Sequence, residues 1–209
     1  MRVGVYIDGF NAYHAIVALH EPRLKWLDYW SLSHGLARDG EVARVVFYTA
    51  ISPWSPEKRA RHTNYIAALR ATGVEVVESI FTRPRKWCQG QKRYCKNYEE
   101  KQTDVAIATD ILADCFEDKV DKIMLVTADS DQIPLVSRVR KLFPEKIVVL
   151  TAPPGRLEQA RGLGEVCSGV TELKPKLLRA HLLPDEVHKP NGKIAARIPP
   201  EYQVEAVAD

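Results

Sequence analysis

Short runs of apolar, β-branched residues alternate along this chain with longer segments whose apolar positions recur at helical spacing. Val3–Ile7, Val42–Ala50, Val74–Ile80, Lys122–Thr127 and Lys146–Thr151 read as strands, with a short last strand near Val170–Leu173. Between them, Phe10–His20, Tyr29–Arg38, Ser55–Ala71, Glu99–Phe116, Asp131–Phe143 and Arg156–Leu163 read as helices. The third helix is punctuated at both ends: Ser55 is placed to cap it, Pro56 fits its first position, and Gly73 closes it. Phe81–Tyr98 has no clear period and reads as a loop. Strands alternating with helices predict βαβ units, an α/β fold with a mostly parallel sheet. Continuous apolar strands such as Ile123-Met124-Leu125-Val126 suit a sheet covered on both faces.

With 209 residues and 45% hydrophobic content, the chain is long enough for one fully cored domain and an appendage. The expected division is a domain over 1–174 and a Pro-rich C-terminal extension over 175–209, carrying Pro175, Pro184, Pro190, Pro199 and Pro200. No apolar run reaches the roughly 18 residues of a membrane span, and the N-terminus lacks the apolar stretch of a signal peptide. Cys88, Cys95, Cys115 and Cys167 do not read as a disulfide framework, so a reducing, cytoplasmic setting is expected. The net charge of +3 is too small to indicate a partner by itself; its distribution carries more.

Acids cluster where a doubly wound sheet binds ligands, beyond the carboxyl ends of its strands. The first strand runs into Asp8-Gly9-Phe10-Asn11, and the strand at 122–127 into Ala128-Asp129-Ser130-Asp131. Asp104 stands early in the 99–116 helix, and Asp110 lies roughly 120° around that helix from it. Each acid has a plainer reading. Asp8-Gly9 suits a hairpin turn, Asp129 and Asp131 suit a helix cap and first turn, and Asp104 suits a solvated helix start. Together they form a carboxylate-rich edge that calls for a compensating hard cation, Mg²⁺ or Mn²⁺. Asn11, Thr127 and Ser130 are placed to support the ligands, and Asp110 suits a structural or supporting role at least as well as direct ligation.

Immediately before this helix, Arg83, Arg85, Lys86, Lys92, Arg93 and Lys96 are interleaved with Trp87, Tyr94 and Tyr98 and with no acid. Cations hold phosphates and aromatic rings stack unpaired bases, so the segment reads as a nucleic-acid-binding flank of the acidic site. Lys101, one turn before Asp104, is placed to meet a phosphate. The plainer reading is a solvated loop with packed aromatics. Cys88 and Cys95 are spaced more widely than a zinc-knuckle pair, with no second pair. The chain has no G-x-x-x-x-G-K-[ST] loop, no G-x-G-x-x-G and no G-x-S-x-G elbow. Its histidines, His14 and His62 among them, form no H-x-x-x-H pair and read as surface or core residues.

Three ordered motifs, Val5-Tyr6-Ile7-Asp8-Gly9-Phe10-Asn11, Glu100-Lys101-Gln102-Thr103-Asp104-Val105 and Thr127-Ala128-Asp129-Ser130-Asp131, resemble the NYN domain family. The resemblance is to the LabA-like branch of the PIN-like ribonucleases, and Val46-Phe47-Tyr48-Thr49-Ala50 fits it as well. It covers roughly 2–173, with further likeness in Leu183-Pro184-Asp185 and Ile198-Pro199-Pro200-Glu201-Tyr202. It implies a Rossmann-like PIN fold, three layers α/β/α around a central parallel sheet, and a metal-dependent RNA-cleaving site. By that resemblance Asp8, Asp104 and Asp129 match the acidic metal site, Asp131 its additional acid, and Asn11 the polar residue after the first acid. Two positions depart from the pattern: Ala128 stands where glycine is usual, and Gln132-Ile133-Pro134 replaces an aromatic after the last acid.

The reading is a metal-dependent endoribonuclease with Asp8, Asn11, Asp104, Asp129 and Asp131 at its centre, Mg²⁺ or Mn²⁺ as cofactor and RNA as partner. The first alternative is a PIN-like module that binds RNA or a protein with weak or no catalysis. The second is a phosphatase or nucleotide hydrolase using the same acids; against a phosphatase of the haloacid-dehalogenase type, Phe10 stands where a D-x-D pair would need its second acid. A homo-oligomer or protein partner is left open.

Overall fold

In the computed structural model of the chain, residues 1–38, 40–82, 86–88, 90, 93–95 and 99–203 are described, those at 86–88, 93–95 and 99–100 by their backbone. The strands are β1 (Arg2–Asp8), β2 (Glu41–Ala50), β3 (Glu75–Thr82), β4 (Lys86–Cys88), β5 (Arg93–Cys95), β6 (Glu99–Lys101), β7 (Lys122–Val126), β8 (Ile147–Ala152), β9 (Gly169–Glu172), β10 (Glu186–His188) and β11 (Ile194–Arg197). The helices are α1 (Gly9–Val17), α2 (Tyr29–Leu36), α3 (Pro56–Thr72), α4 (Thr103–Phe116), α5 (Ile133–Leu142), α6 (Arg161–Val166) and α7 (Pro175–Arg179).

A 7-stranded sheet of order β6-β3-β2-β1-β7-β8-β9 forms the centre. From β3 to β9 every pairing is parallel, and β6 closes one edge antiparallel to β3. Period-two alternation sorts the strand side chains between two faces. Val3, Val5, Ile7, Val45, Phe47, Met124 and Val126 pack under α1, α2 and α3. Tyr6, Val46, Tyr48, Ile123, Leu125, Val148 and Leu150 pack under α4, α5 and α6. This is the three-layer α/β/α arrangement with a mostly parallel sheet.

Chain order runs outward from β1 through β2 to β3, then returns to β7 on the other side of β1. The order therefore switches direction between β1 and β7, where adjacent parallel strands send their connections to opposite sides and leave a crevice. Ile7 pairs with Val126, so Asp8 and Thr127 emerge side by side at that crevice.

Several boundaries differ from the sequence reading. Lys86–Cys88 and Arg93–Cys95 pair as an antiparallel ladder where a loop is expected, and β3 extends to Thr82. Glu99–Lys101 is an edge strand, not the first turn of a helix: it pairs with Ile80–Thr82, and Gln102 breaks the extended run with a left-handed φ of 80° before α4 begins. A three-residue 3₁₀ turn, Ser130–Gln132, precedes α5. The helix expected over 156–163 forms later, as α6, after turns at 157–160.

Residues 175–203 carry regular structure: α7, the β10–β11 hairpin and a last 3₁₀ turn at Pro200–Tyr202. Leu183, Val187, Ala196 and Ile198 bury against Trp26 and Ala68. Among the described residues no helix is long and apolar enough to cross a membrane.

Candidate metal and nucleic-acid site

Two of the acids, Asp8 and Asp129, reach the crevice because they cap the elements that leave it. At the end of β1, the Asp8 Oδ1 accepts from the Asn11 N–H at 3.0 Å, starting α1. At the end of β7, the Asp129 Oδ1 accepts from the Asp131 N–H at 2.9 Å, starting the 3₁₀ turn. The plain capping reading of these acids is therefore part of their geometry. A capping carboxylate at a strand end also faces the crevice, so one conformation serves both roles.

Gly9 is required by close approach: a Cβ there would lie 2.5 Å from both Phe47 Cζ and the Tyr48 carbonyl oxygen. That contact brings α1 onto the end of β2 and fixes the direction in which Asp8 leaves the sheet.

Thr127 joins the two strand ends. Fully buried, its hydroxyl donates to Asp8 Oδ2 at 3.0 Å and accepts from the Asp129 N–H at 3.1 Å. Asn11 adds a second tie: its Oδ1 accepts from the Ala128 N–H at 3.1 Å. Asn11 thus locks α1 to the β7 end.

Oxygen atoms of Asp104, Asp129 and Asp131 lie within 4.8 Å of one another. Asp104 and Asp131 are exposed and Asp129 is half-buried. Partial removal of its carboxyl from water and the neighbouring Asp129 push Asp104 above its ordinary value, Asp131 adds to this, and a hydrogen bond from Gln132 opposes it. An all-oxygen, mutually repelling set matches the donors a hard divalent cation takes. Asp8 is buried and lies in the same cleft but outside that trio, its oxygens engaged by Asn11 and Thr127.

The cleft, of about 360 Å³, is lined by Asp8, Asn11, Asp104, Asp129, Lys101 and Gln102, among others. The strained backbone of Gln102 sits between Lys101 on the edge strand and Asp104 in the first turn of α4. Asp110 stands apart: the Tyr48 hydroxyl donates to it at 2.8 Å, beside Arg44. Arg44 and the Tyr6 hydroxyl bind the buried Asp114 at 2.5 and 2.6 Å, so this polar group ties α4 to the sheet.

Four further residues contribute to the cleft beyond the candidate acids and cations. Gln132 is buried and its Nε2 donates to Asp104 Oδ1 at 2.9 Å; its signal was the replacement of an aromatic at that position. Arg156 and Gln159 line the cleft from the β8–α6 connection, and no local pattern marks them. His14, read as an ordinary surface or core residue, also lines it.

Of the basic segment, Arg83, Arg85, Lys92, Lys96 and Tyr98 lie outside the described residues. Lys86 and Trp87 fall on β4 and Arg93 and Tyr94 on β5, with Trp87 opposite Tyr94 in the ladder. Cys88 and Cys95 fall on the same paired strands.

The family model for the NYN domain matches residues 2–173. The chain is 24% identical to 6-hydroxy-3-succinoylpyridine 3-monooxygenase HspA of Pseudomonas putida, over 77% of this chain and 62% of that protein. It thus spans less than two thirds of that relative's length. A solved structure from Vibrio parahaemolyticus, of a protein of unknown function, superposes with a TM-score of 0.61 at 22% identity, over 87% of this chain and 96% of that one. That likeness is one of fold.

Proposed function

This chain belongs to the NYN domain family, a PIN-like nuclease family, and on that premise we propose that it is a metal-dependent endoribonuclease of the LabA-like branch, acting on single-stranded RNA in the cytoplasm. One observation carries the reading: three carboxylates converge within 4.8 Å at the crevice where the strand order reverses. Asp104, Asp129 and Asp131 would hold Mg²⁺ or Mn²⁺, with Asp8 at the cleft wall as a further oxygen donor. Such an ion, when bound, lowers the pKa of a coordinated water and offsets charge on phosphoryl oxygens.

The chain's own groups do the remaining work. Lys101 offers a cation to a phosphate entering the cleft. Thr127 and Asn11 hold the Asp8 and Asp129 ends in register, so the carboxylates are set before substrate arrives. Gln132 orients Asp104. Arg83, Arg85, Lys86, Lys92 and Arg93 guide the RNA strand toward the cleft. Residues 175–209 are an appendage to the nuclease unit of 1–174.

The test is cleavage of labelled single-stranded RNA with Mn²⁺ or Mg²⁺, against an EDTA control and the Asp129→Asn protein. Loss in both controls is expected. Unchanged cleavage by Asp129→Asn defeats the mechanism, and RNA binding without cleavage moves the protein to the binding-module reading. A second reading has one observation in its favour: an aromatic-lined cavity beside the cleft. In that reading the chain takes a small substituted pyridine, as the name of the Pseudomonas putida relative states for that protein. Turnover of such a compound, with RNA untouched, would decide for it.

A further inference from the structure

Phe10 and His14 line both the acidic cleft and a neighbouring cavity of about 300 Å³. This cavity lies between α1, the end of β2 and α3, and its walls are unusually aromatic. Trp54 meets Phe81 edge-on at 4.9 Å between ring centroids, and Phe81 meets Phe10 at 6.3 Å. Trp54 keeps 45% of its surface exposed and Phe10 44%, in a chain whose other aromatics include the fully buried Tyr6, Trp26 and Tyr48. Exposed rings grouped around a cavity are a stacking surface, not a completed core.

Polar groups are set sparingly into this apolar wall. The Ser52 Oγ is buried without a hydrogen-bond partner. The Thr49 hydroxyl is 3.0 Å from His62 Nε2, and burial pushes His62 below its ordinary value, which favours the neutral ring. A neutral imidazole offers one donor and one acceptor. No Asp or Glu is among the described lining residues, which include Lys25, Lys58 and Arg61. Arg61 is paired with Glu201 at 2.9 Å, and Lys25 lies over the Tyr202 ring. A flat ring with a polar edge, joined to a negatively charged chain, complements this lining: faces to aromatics, edge to the unpartnered hydroxyl, charge to the cations.

We propose that this cavity is a nucleobase pocket, in which one base of a single-stranded RNA stacks against Trp54 and Phe81 with its edge at Ser52 and His62, while the adjoining phosphate passes Phe10 and His14 into the acidic cleft. The proposal rests on the RNA reading of that cleft and adds what the nuclease holds beside the bond it cuts.

The experiment measures binding of the full chain to labelled RNA hexamers in EDTA, with an abasic nucleotide placed at each position in turn. One position is expected to be sensitive, losing roughly five- to a hundredfold in affinity when its base is removed, the range that stacking of one base supplies. Trp54→Ala should erase that positional difference. Ser52→Ala should weaken binding of the intact hexamer roughly two- to tenfold at an undiminished melting temperature, which separates lost recognition from lost folding. Equal affinity at all abasic positions, or Ser52→Ala binding as the parent does, overturns the pocket. So does quenching of Trp54 fluorescence by pyridine-3-carboxylate that RNA fails to compete, which assigns the cavity to a small aromatic acid. Cleavage is not read here. A protein that shows the positional effect but never cuts RNA keeps the pocket and loses the nuclease, and one that cuts RNA without the effect loses the pocket alone.

Discussion

Replacing Thr127 by Val is the sharpest test of how the site is held together. The side chain is fully buried, and Val matches its shape while removing the hydroxyl. Two hydrogen bonds go with it: the one donated to the Asp8 carboxyl at 3.0 Å and the one accepted from the Asp129 N–H at 3.1 Å. A hydrogen bond to a charged group contributes about 1.5–3 kcal/mol, and the orphaned N–H adds about 1 kcal/mol. A loss of about 3 kcal/mol follows, which in a domain of this size lowers the melting temperature by roughly 6–12 °C. Thr127→Ser keeps both hydrogen bonds and loses one methyl group, a cost of about 1 kcal/mol. Thermal and urea unfolding in EDTA should therefore rank the parent above Thr127→Ser and Thr127→Val lowest. Under the nuclease reading, RNA cleavage should also fall roughly ten- to a hundredfold in Thr127→Val, as when a metal ligand loses its supporting partner. A Val variant at least as stable as the Ser variant would refute the argument that this hydroxyl couples the two strand ends.

Further outcomes are expected at Asp104 and Gly9. Asp104 has its folded pKa raised by partial removal from water and by Asp129 and Asp131, so its contribution to stability is most favourable at low pH and declines as pH rises through the folded value. Asp104→Asn should accordingly melt higher than the parent at pH 7 in EDTA, an advantage that vanishes by about pH 3; saturating Mn²⁺ should raise the melting temperature of the parent and not of the variant. Gly9→Ala should destabilise by about 1–3 kcal/mol, because its methyl group meets Phe47 and the Tyr48 carbonyl at 2.5 Å, and denaturant midpoints check this.

Local physics made much of this protein readable from its residues. Ser55 accepts from the Lys58 N–H, and Gly73 adopts φ 102° to end α3, as the Ser-Pro start and the glycine stop predict. The apolar runs at 3–7 and 122–126 are strands of a sheet covered on both faces, since both runs divide between the two cores. Asp8 and Asp129 were legible as strand-end acids because capping is a short-range effect.

Long-range pairing decided the rest. Glu99–Lys101 has no intrinsic strand signal; the exposed edge of β3 imposes it, and the turn at Gln102 then sets where α4 begins and where Asp104 points. Helical spacing puts Asp110 roughly 120° around α4 from Asp104, but only the packing of α4 against the sheet brings Asp104 to Asp129 and Asp131 and Asp110 to Tyr48 and Arg44. Arg156 and Gln159 reach the cleft through a connection that carries no motif. Most of the elements, their alternation and the capping acids at Asp8 and Asp129 were set by neighbours a few residues away in the chain. Which acids share a cleft, and which aromatics stand beside it, depended on the order of the strands, because only the folded sheet brings residues from separate strand ends and helices within reach of one ion or one base.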